Sequence, residues 1–468
     1  MKRVVIWNAH WSTLGGGEVY AGYLASFLAR LGYEVELFGL GENPIHGLQN
    51  RLGLNLQGIR YTRIPNESYL MAILKQDDLF INGSFGSSFA SPITSSVYIC
   101  HFPLKSAKRK ILTKLIRNDK NIVVSSDLSI LHPIDSRVLL VGEGLVHFFG
   151  KKRMSVDVEF GAISVHKDFE LLANLNSKDH YNFGSKGYYS IKSLSKVVPV
   201  TSISGASSLN WVRKFYVRRF SHQENFTNSY SQIWANSDFT SGFITKYWKK
   251  KSKLIFPPHP ERAIYSTQLN PYDILSIGRF MNPQNGHCKN QLELVEAFEK
   301  LCSRSPLPWR LHLAGGVDLS DDRYFMAVKK QVESKGLQIF LYPNCNQSEL
   351  DDLLQSSQYY WHATGMGVTV RKPQDMEHFG IAVVEALNAG LIPLVYDIAG
   401  PAEILKDFPQ LRFSSTSDLA QKTLSLVQSD RSNLEMALKE ESQKYSNLVF
   451  ENSVQKALLE LNYFRGAK

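Results

Sequence analysis

The chain has 468 residues, of which 43% are hydrophobic and 21% charged, and this balance excludes a wholly disordered protein. Because one hydrophobic core stops growing near roughly 250–300 residues, the length predicts two domains. No apolar run reaches the length of about 18 residues that spans a bilayer, and Met1–Arg3 leads into a strand-like run without a signal peptide. We therefore expect a cytoplasmic protein.

The net charge of +10 favours anionic partners, a class that includes nucleic acids, anionic membranes and phosphorylated ligands. Basic residues are concentrated in Lys105–Lys120, where they alternate with apolar residues as in an amphipathic helix. This segment suits contact with an anionic membrane surface and equally a solvated helix face. No nucleic-acid recognition motif is present, so we expect no nucleic-acid partner. The four cysteines lack C-x-x-C spacing, which predicts reduced thiols.

The first half of the chain begins with a strand, a helix and a second strand. Val4–Trp7 is apolar, a loop ending in three glycines follows, and Glu18–Leu31 has apolar residues at helical spacing before the strand Glu34–Leu40. This order predicts a βαβ unit in a parallel sheet. Further strands are predicted at 58–64, 78–82, 96–101 and 231–236. Residues 122–228 give no readable order of elements.

The second half alternates strictly between strands and helices with short connections, which predicts a second doubly wound parallel sheet. The predicted strands are 273–277, 309–314, 337–342, 359–363 and 391–396, and the predicted helices are 290–301, 324–334, 349–355 and 381–388. We therefore predict an N-terminal Rossmann-like domain over 1–258, a C-terminal one over 259–468, and a ligand cleft between them. A helical stretch at 434–463 is expected to pack back onto the first domain.

Three segments have the residue types of a phosphate or sugar site. The glycine turn Gly15–Gly17 precedes a helix, as in a phosphate-binding loop and equally in a plain tight turn. Arg279 and Lys289 follow a predicted strand and suit a diphosphate, although surface cations have the same pattern. Glu377 and Glu385 bracket the start of an apolar helix, about 12 Å apart if the stretch is helical, and reach different parts of one ligand.

Together these segments resemble retaining GT-B glycosyltransferases of family 4, also called glycosyltransferase group 1. The resemblance rests on the glycine loop, on G-R-F followed by K-N-Q, and on E-H-F-G-I-A-V-V-E followed by G-P-A-E. With I-C-H-F-P and H-A-T-G, the sequence is similar to mannosyltransferases that act on lipid-linked glycans. The resemblance implies an α/β GT-B fold, in which two Rossmann-like doubly wound parallel-sheet domains face a central cleft.

The resemblance also implies roles for individual residues. Arg279 and Lys289 correspond to the pair that grips the donor diphosphate, Glu385 to the glutamate that holds the ribose, and Glu377 to the one beside the donor sugar. His101 corresponds to a histidine near the reacting carbon. The implied catalytic residues are His101, Arg279, Lys289 and Glu377. The implied donor-binding residues are Gly16, Gly17, Arg279, Lys289, His378, Phe379, Gly380, Ile381 and Glu385.

The resemblance implies a retaining transferase that moves a mannose-like hexose from a nucleotide sugar to a glycan or lipid-linked glycan, in surface polysaccharide or glycoconjugate synthesis. We expect no metal and no cofactor beyond the nucleotide-sugar co-substrate, and a site of action in the cytoplasm or at the inner face of the membrane. Epimerases and phosphorylases share the two-domain plan. The main alternative is a non-catalytic protein of this fold that binds glycans or nucleotides. The nucleotide, the sugar, the acceptor and the linkage are not specified by these residues.

Overall fold

The structure of this chain is a computed structural model. It describes residues 2–13, 15–53, 55–104, 226–259, 269–283, 287–317 and 322–461, together with five strands between 138 and 192. The chain divides into two compact units, of which one comprises Met1–Leu104 with Thr227–Lys468 and the other comprises Lys105–Phe226. The first unit contains two parallel sheets, and the residues around each sheet are here called the first and the second domain.

The described strands are numbered in chain order. They are β1 Arg3–Trp7, β2 Glu34–Gly39, β3 Arg60–Arg63, β4 Leu79–Asn82, β5 Ser96–Cys100, β6 Val138–Gly142, β7 Leu145–Phe149, β8 Met154–Glu159, β9 Ala162–Lys167, β10 Tyr189–Lys192, β11 Gln232–Ala235, β12 Lys253–Leu254, β13 Asn270–Ile277, β14 Arg310–Gly315, β15 Ile339–Pro343, β16 Ser357–His362, β17 Ile392–Tyr396 and β18 Arg412–Phe413.

The described α-helices flank the two sheets. They are Gly16–Arg30, Ile45–Leu52, Leu70–Ile73, Asp238–Trp248, Gln291–Arg304, Arg323–Lys335, Gln347–Ser356, Ile381–Asn388, Ala399–Ile404, Thr416–Gln428, Ser432–Gln443 and Asn447–Glu460.

The first domain is built on a seven-stranded sheet with the order β12-β11-β5-β4-β1-β2-β3, and all neighbouring strands are parallel. The central strands read as continuous apolar runs because helices cover both faces of a parallel sheet. In β1, for example, Val4, Val5 and Ile6 are fully buried. The predicted Rossmann-like sheet is confirmed, and its strand order reverses direction between β1 and β4.

The second domain is built on a six-stranded sheet with the order β15-β14-β13-β16-β17-β18, again with parallel neighbours. The strict alternation of strands and helices that the sequence predicts is present. Its strand order reverses between β13 and β16, and a doubly wound sheet binds its ligand outside the carboxyl ends of the strands at such a point. Arg279 lies two positions after the end of β13, and His362 is the last residue of β16.

The second compact unit is described only through five strands. β10, β7 and β6 form an antiparallel sheet, and β8 pairs antiparallel with β9. All five of these strands lie within residues 122–228, where no order of elements is readable from the sequence. The basic segment Lys105–Lys120 lies outside the described residues. Within the described ranges, no helix is both long and apolar enough to cross a bilayer.

The last described helix, Asn447–Glu460, packs against the first domain, although it follows the second domain in the chain. Its apolar side chains, listed below, join the core formed by β1, β2 and the helix Gly16–Arg30. Hydrogen bonds fix its position, since the Asn447 side chain accepts from the backbone N–H of His259 at 3.1 Å and donates to the carbonyl of the same residue at 3.0 Å. The core members from this helix are Phe450, Val454, Ala457 and Leu458.

Leu458 and Leu459 provide a matched test of this packing. Leu458 is fully buried in the first core, whereas Leu459 is 47% exposed. We expect Leu458→Ala to lower the free energy of unfolding by about 2–5 kcal/mol, because it leaves a cavity. Leu459→Ala should change it by about 0.5 kcal/mol or less. Thermal and chemical unfolding of both variants tests this prediction, and equal stabilities would contradict it.

Candidate functional site

The glycine turn after β1 is held in place by a buried carboxylate. Glu18 accepts hydrogen bonds from the side-chain amide of Asn8 at 2.9 Å, the hydroxyl of Thr13 at 2.6 Å and the backbone N–H of Gly15 at 2.8 Å. These bonds tie the end of β1, the loop and the first turn of the helix Gly16–Arg30 to one side chain. Glu18 was not among the residues singled out in the sequence, although it lies next to the glycines.

Gly16 and Gly17 lie where neighbouring groups come very close. A Cβ atom at Gly16 would be 3.0 Å from Cδ1 of Ile381 in the second domain, and a Cβ at Gly17 would be 3.1 Å from Nε2 of His101. A larger residue at either position would have to displace these side chains. The glycines thus allow the helix start of the first domain to approach both the helix start of the second domain and His101.

His101 directly follows β5 and is in hydrogen-bond contact with the end of β4. Its Nε2 lies 3.0 Å from the carbonyl oxygen of Gly83, and since a carbonyl only accepts, Nε2 carries the hydrogen. Burial lowers the pKa of His101, against the opposing effects of Gly83 and Glu18. The ring is therefore neutral at neutral pH, and its Nδ1 has a free lone pair.

The K-N-Q segment organises the carboxyl end of β13. Asn290 donates from its side chain to the carbonyls of Ala363 at 2.7 Å and Met366 at 3.1 Å. Gln291 donates to the carbonyl of Gly278 at 3.0 Å. Gly278 in turn leaves room for a neighbour, because a Cβ there would lie 2.4 Å from Cγ of Lys289. The Lys289 side chain is thereby laid across the end of β13.

Lys289 forms an ion pair with Glu377, and both side chains are partly buried. Burial alone would raise the pKa of Glu377, but Lys289 and His362 outweigh this effect and lower it to about 2. Glu377 is therefore ionised throughout the physiological range. Two of the predicted catalytic residues are brought into direct contact.

Arg279, in contrast, is exposed and has no ion-pair partner among the described residues. It follows β13, and Cγ of Arg279 lies 3.5 Å from where a Cβ of Gly316 would be. Its guanidinium is thus available to an anion at the carboxyl edge of the sheet. Arg279 and Lys289 flank the switch point of the sheet, but only Lys289 is already paired.

His378 links the two domains through its ring. The imidazole stacks on Phe102 of the first domain, with ring centroids 4.2 Å apart and an interplanar angle of 13°. Its Nε2 lies 3.3 Å from the carbonyl of Pro373 and donates to it. Burial, and to a smaller extent the charge of His287, lowers the pKa of His378 to about 3. The ring is neutral and acts as a packing group between the domains.

The backbone around His378 makes further contacts between the domains. The hydroxyl of Ser237 donates to the carbonyl of His378 at 2.6 Å, and it accepts from the N–H of Thr240 at 3.0 Å as the N-cap of the helix Asp238–Trp248. Glu403, from the G-P-A-E motif, accepts from the N–H groups of the two residues after Ser237, at 2.8 and 2.9 Å. A helix of the first domain is therefore capped by a carboxylate of the second.

The helix Ile381–Asn388 begins beside these contacts. Gly380 has a left-handed backbone with φ of 106°, which favours glycine, and Phe379 is packed so closely that a Cβ at Gly400 would lie 2.4 Å from its Cα. The amide groups of Phe379, Gly380 and Ile381 are at a helix N-terminus, where unpaired donors suit anionic or hydroxyl oxygens. Glu385 is partly buried one turn further along the helix.

The site has the components of a binding cleft for a phosphorylated sugar. It combines a glycine turn and a neutral histidine from the first domain with a free arginine, a lysine–glutamate pair and a helix N-terminus from the second. Among the described residues, no group of three or more His, Cys, Asp or Glu side chains is arranged to hold a metal ion. His362 and Glu403 lie in the H-A-T-G and G-P-A-E motifs, but the sequence assigned no role to them or to Ser237, because their roles depend on contacts between distant parts of the chain.

Comparison with known proteins points to one family. Residues 260–445 match the family described as Glycosyl transferases group 1. A Dictyostelium discoideum protein named GDP-Man:Man(3)GlcNAc(2)-PP-Dol alpha-1,2-mannosyltransferase is 29% identical over 215 residues, which cover 43% of this chain and 41% of that protein. A Xanthomonas campestris protein named GDP-mannose:cellobiosyl-diphosphopolyprenol alpha-mannosyltransferase is 34% identical over 113 residues, 24% of this chain and 26% of that protein. The matched stretches thus span less than half of these relatives.

The likeness of fold extends over the whole chain. A crystal structure of a glycosyltransferase from Rickettsia africae ESF-5 is similar over 98% of both chains, with a TM-score of 0.53 and a sequence identity of 13%. At this identity the likeness concerns the fold alone. With the two parallel sheets described above, it confirms the predicted GT-B fold.

Ser237 provides a test of the contact between the domains. We expect Ser237→Ala to lower the free energy of unfolding by about 1–3 kcal/mol more than Ser415→Ala does, because a buried carbonyl loses its donor in addition to the loss of a helix cap. Ser415 is the matched control, since it caps the helix Thr416–Gln428 within the second domain by accepting from Asp418 at 3.1 Å. Chemical denaturation measures both losses, and equal losses would contradict the prediction.

Proposed function

Because this chain carries in residues 260–445 a domain of the glycosyl transferases group 1 family, we propose that it is a hexosyltransferase that moves a mannose-like sugar from a nucleotide sugar to a lipid-linked glycan. The observation that carries this proposal is the paired Lys289 and Glu377, with Arg279 free beside them, at the switch point of the second sheet. A diphosphate and a sugar are the ligands that this combination of cations and carboxylate suits.

GDP-mannose is the proposed donor. The names of the Dictyostelium and Xanthomonas relatives both specify a GDP-mannose donor and a diphosphate-linked lipid acceptor. In this chain Arg279 and Lys289 bind the diphosphate, Glu385 holds the ribose and Glu377 lies beside the sugar. The amides of Phe379–Ile381 contact sugar hydroxyl and phosphate oxygens, and Gly16 and Gly17 face the diphosphate from the first domain.

Transfer proceeds with retention of the anomeric configuration. The bond between the anomeric carbon and the diphosphate loosens first, and Arg279 with Lys289 stabilises the negative charge that builds up on the departing oxygen. The acceptor hydroxyl then attacks the anomeric carbon from the face that the diphosphate leaves, and its proton passes to the departing phosphate oxygen. Neutral His101 lies next to the glycine turn on the acceptor side, near the reacting carbon.

The reaction needs no metal ion in this proposal. The negative charge of a nucleoside diphosphate is commonly balanced by a divalent cation, whereas here two side-chain cations and the helix N-terminus at Ile381 supply the compensating positive charge. Nucleotide sugar is then the co-substrate, and no further cofactor takes part.

The acceptor places the protein at a membrane surface in this proposal. A lipid-linked glycan is presented at the bilayer, and the basic segment Lys105–Lys120 provides cations that attract anionic lipids at roughly 1 kcal/mol each near the surface. The protein then acts from the cytoplasm as a peripheral protein on the inner face of the membrane, in the synthesis of a surface polysaccharide or glycoconjugate.

The test of this function uses GDP-mannose with diphosphate-linked lipid glycans in the presence of EDTA. We expect release of GDP and a product heavier by one hexose, with the α configuration by NMR. Arg279→Ala should lower turnover by about 10²–10³-fold, because the departing charge loses a stabilising cation. Arg304→Ala is the matched control, since Arg304 binds Ser417 on the opposite part of the second domain and should leave turnover unchanged.

Several outcomes would contradict this proposal. Equal turnover by the Arg279→Ala variant and the wild type would remove Arg279 from the mechanism, and loss of activity in EDTA would overturn metal independence. If GDP, UDP, ADP, dTDP and CDP all fail to raise the melting temperature and no sugar nucleotide is consumed, the chain is a non-catalytic binding protein. A nucleotide that binds, supplied at a hundred times its dissociation constant, should raise the free energy of unfolding by about 2.7 kcal/mol and the melting temperature with it.

Sedimentation with vesicles tests the proposed membrane contact. We expect binding to anionic vesicles at low salt, and weaker binding when Lys108, Arg109 and Lys110 are replaced by glutamine, because the electrostatic attraction falls with each cation removed. Neutral vesicles are the control. Binding that is independent of lipid charge and of these substitutions would contradict the prediction.

A further inference from the structure

His362, in the H-A-T-G motif, is a buried histidine to which the mechanism above assigns no role. It is the last residue of β16, at the switch point of the second sheet, and is only 3% exposed. Its Nε2 has no hydrogen-bond partner among the described residues. A buried polar nitrogen without a partner is costly, so its surroundings indicate what it is placed to contact.

The unpartnered nitrogen is directed towards the site. Nε2 of His362 lies 3.8 Å from Oε2 of Glu377, too far for a hydrogen bond but close enough to form one after a small movement. On the other side of the ring, Nδ1 lies 3.5 Å from the hydroxyl of Tyr360. Since an ionised carboxylate only accepts, the tautomer with its hydrogen on Nε2 is favoured.

In the proposed function, Lys289 interacts both with Glu377 and with the donor diphosphate. The carboxylate of Glu377 is paired with Lys289, and Lys289 is also one of the two cations that grip the donor diphosphate. A diphosphate carries more negative charge than a carboxylate, so it competes for the lysine. When Lys289 moves to the diphosphate, Glu377 loses its partner in a partly buried place, where an unpaired carboxylate is unfavourable.

We propose that His362 is a positioning residue, whose Nε2–H donates a hydrogen bond to the carboxylate of Glu377 when the donor diphosphate draws Lys289 away. This inference rests on the proposed function and adds a residue to it. The carboxylate then stays ionised and directed at the donor sugar, held by a neutral donor that does not itself compete for the diphosphate. Burial, and to a smaller extent the charge of Lys289, lowers the pKa of His362 to about 4, so the ring is neutral at neutral pH.

The charged and titratable groups that face His362 are few among the described residues. Lys289 and Glu377 lie beyond its Nε2, and the ring of Tyr360 stacks on it with centroids 6.1 Å apart. A purely structural role would require only that the ring fill its place in the core. A positioning role requires a hydrogen-bond donor at the Nε2 position, and this difference can be tested.

Glutamine and asparagine substitutions separate the two roles. The side-chain nitrogen of glutamine reaches the Nε2 position of histidine, whereas that of asparagine reaches only the Nδ1 position. The assay measures release of GDP from GDP-mannose in the presence of acceptor. Relative to the wild type, we expect His362→Asn to lower kcat by about ten- to a hundredfold, which corresponds to the loss of one hydrogen bond to a charged group. We expect His362→Gln to retain kcat within about threefold.

Two further measurements distinguish positioning from folding. The dissociation constant for GDP should rise in His362→Asn and stay near the wild-type value in His362→Gln, because GDP carries the diphosphate that draws Lys289 away from Glu377. The acidic limb of the pH profile of kcat should move to higher pH in His362→Asn, since Glu377 loses a donor that stabilises its ionised form. The matched control is His312→Asn. His312 is a buried histidine of β14 in the same sheet, and its neighbours are Tyr342 and Asp273. This substitution should leave kcat and its pH profile unchanged.

The outcomes are distinct. Equal kcat in wild type, His362→Asn and His362→Gln would overturn the positioning role and leave the proposed function intact. Equal losses of kcat in both His362 variants, with lower melting temperatures and weaker GDP binding, would show a structural role and overturn it as well. Failure of the wild type to consume any sugar nucleotide would overturn the proposed function, and the inference with it.

Discussion

The two domains are joined by a short set of hydrogen bonds that Ser237 and the start of the helix Asp238–Trp248 form with His378 and Glu403. The N–H groups of Asp238 and Phe239 donate to Glu403 of the second domain, and the hydroxyl of Ser237 donates to the carbonyl of His378. Since unpaired buried polar groups are costly, separation of the domains is opposed at this point. The close approach of Gly16 to Ile381 and the stack of Phe102 on His378 depend on this contact.

Charge is distributed unequally across the site, and this inequality prepares it for an anion. Arg279 is exposed without an ion-pair partner among the described residues, whereas Lys289 is neutralised by Glu377. In the proposed function, an incoming diphosphate therefore meets one cation at once and gains the second only by exchange with a carboxylate. The neutral rings of His101, His362 and His378, all kept uncharged by burial, add hydrogen-bonding groups without adding charge.

Local patterns made most of the fold predictable. Two local patterns predict the two parallel sheets: the apolar run of β1, and the alternation of strands and helices beyond Asp273. The helix Asp238–Trp248 was not predicted, although Phe239, Phe243 and Tyr247 recur at the helical spacing of four residues. The motif around Glu377 predicted a site, but sequence spacing cannot reveal that His362, 15 positions earlier, points at the same carboxylate. Such contacts between distant residues arise only from packing.

The packing of the helix Asn447–Glu460 has a consequence for the order in which the chain is made. His259 and Asn447, which are hydrogen-bonded, are 188 positions apart. A chain emerging from the ribosome therefore exposes the apolar surface of the first core until the second domain has been synthesised, although domains usually complete themselves in order from the N-terminus. A chaperone that binds exposed apolar surface would have a substrate during this interval, and premature termination before Phe450 would leave that surface permanently uncovered.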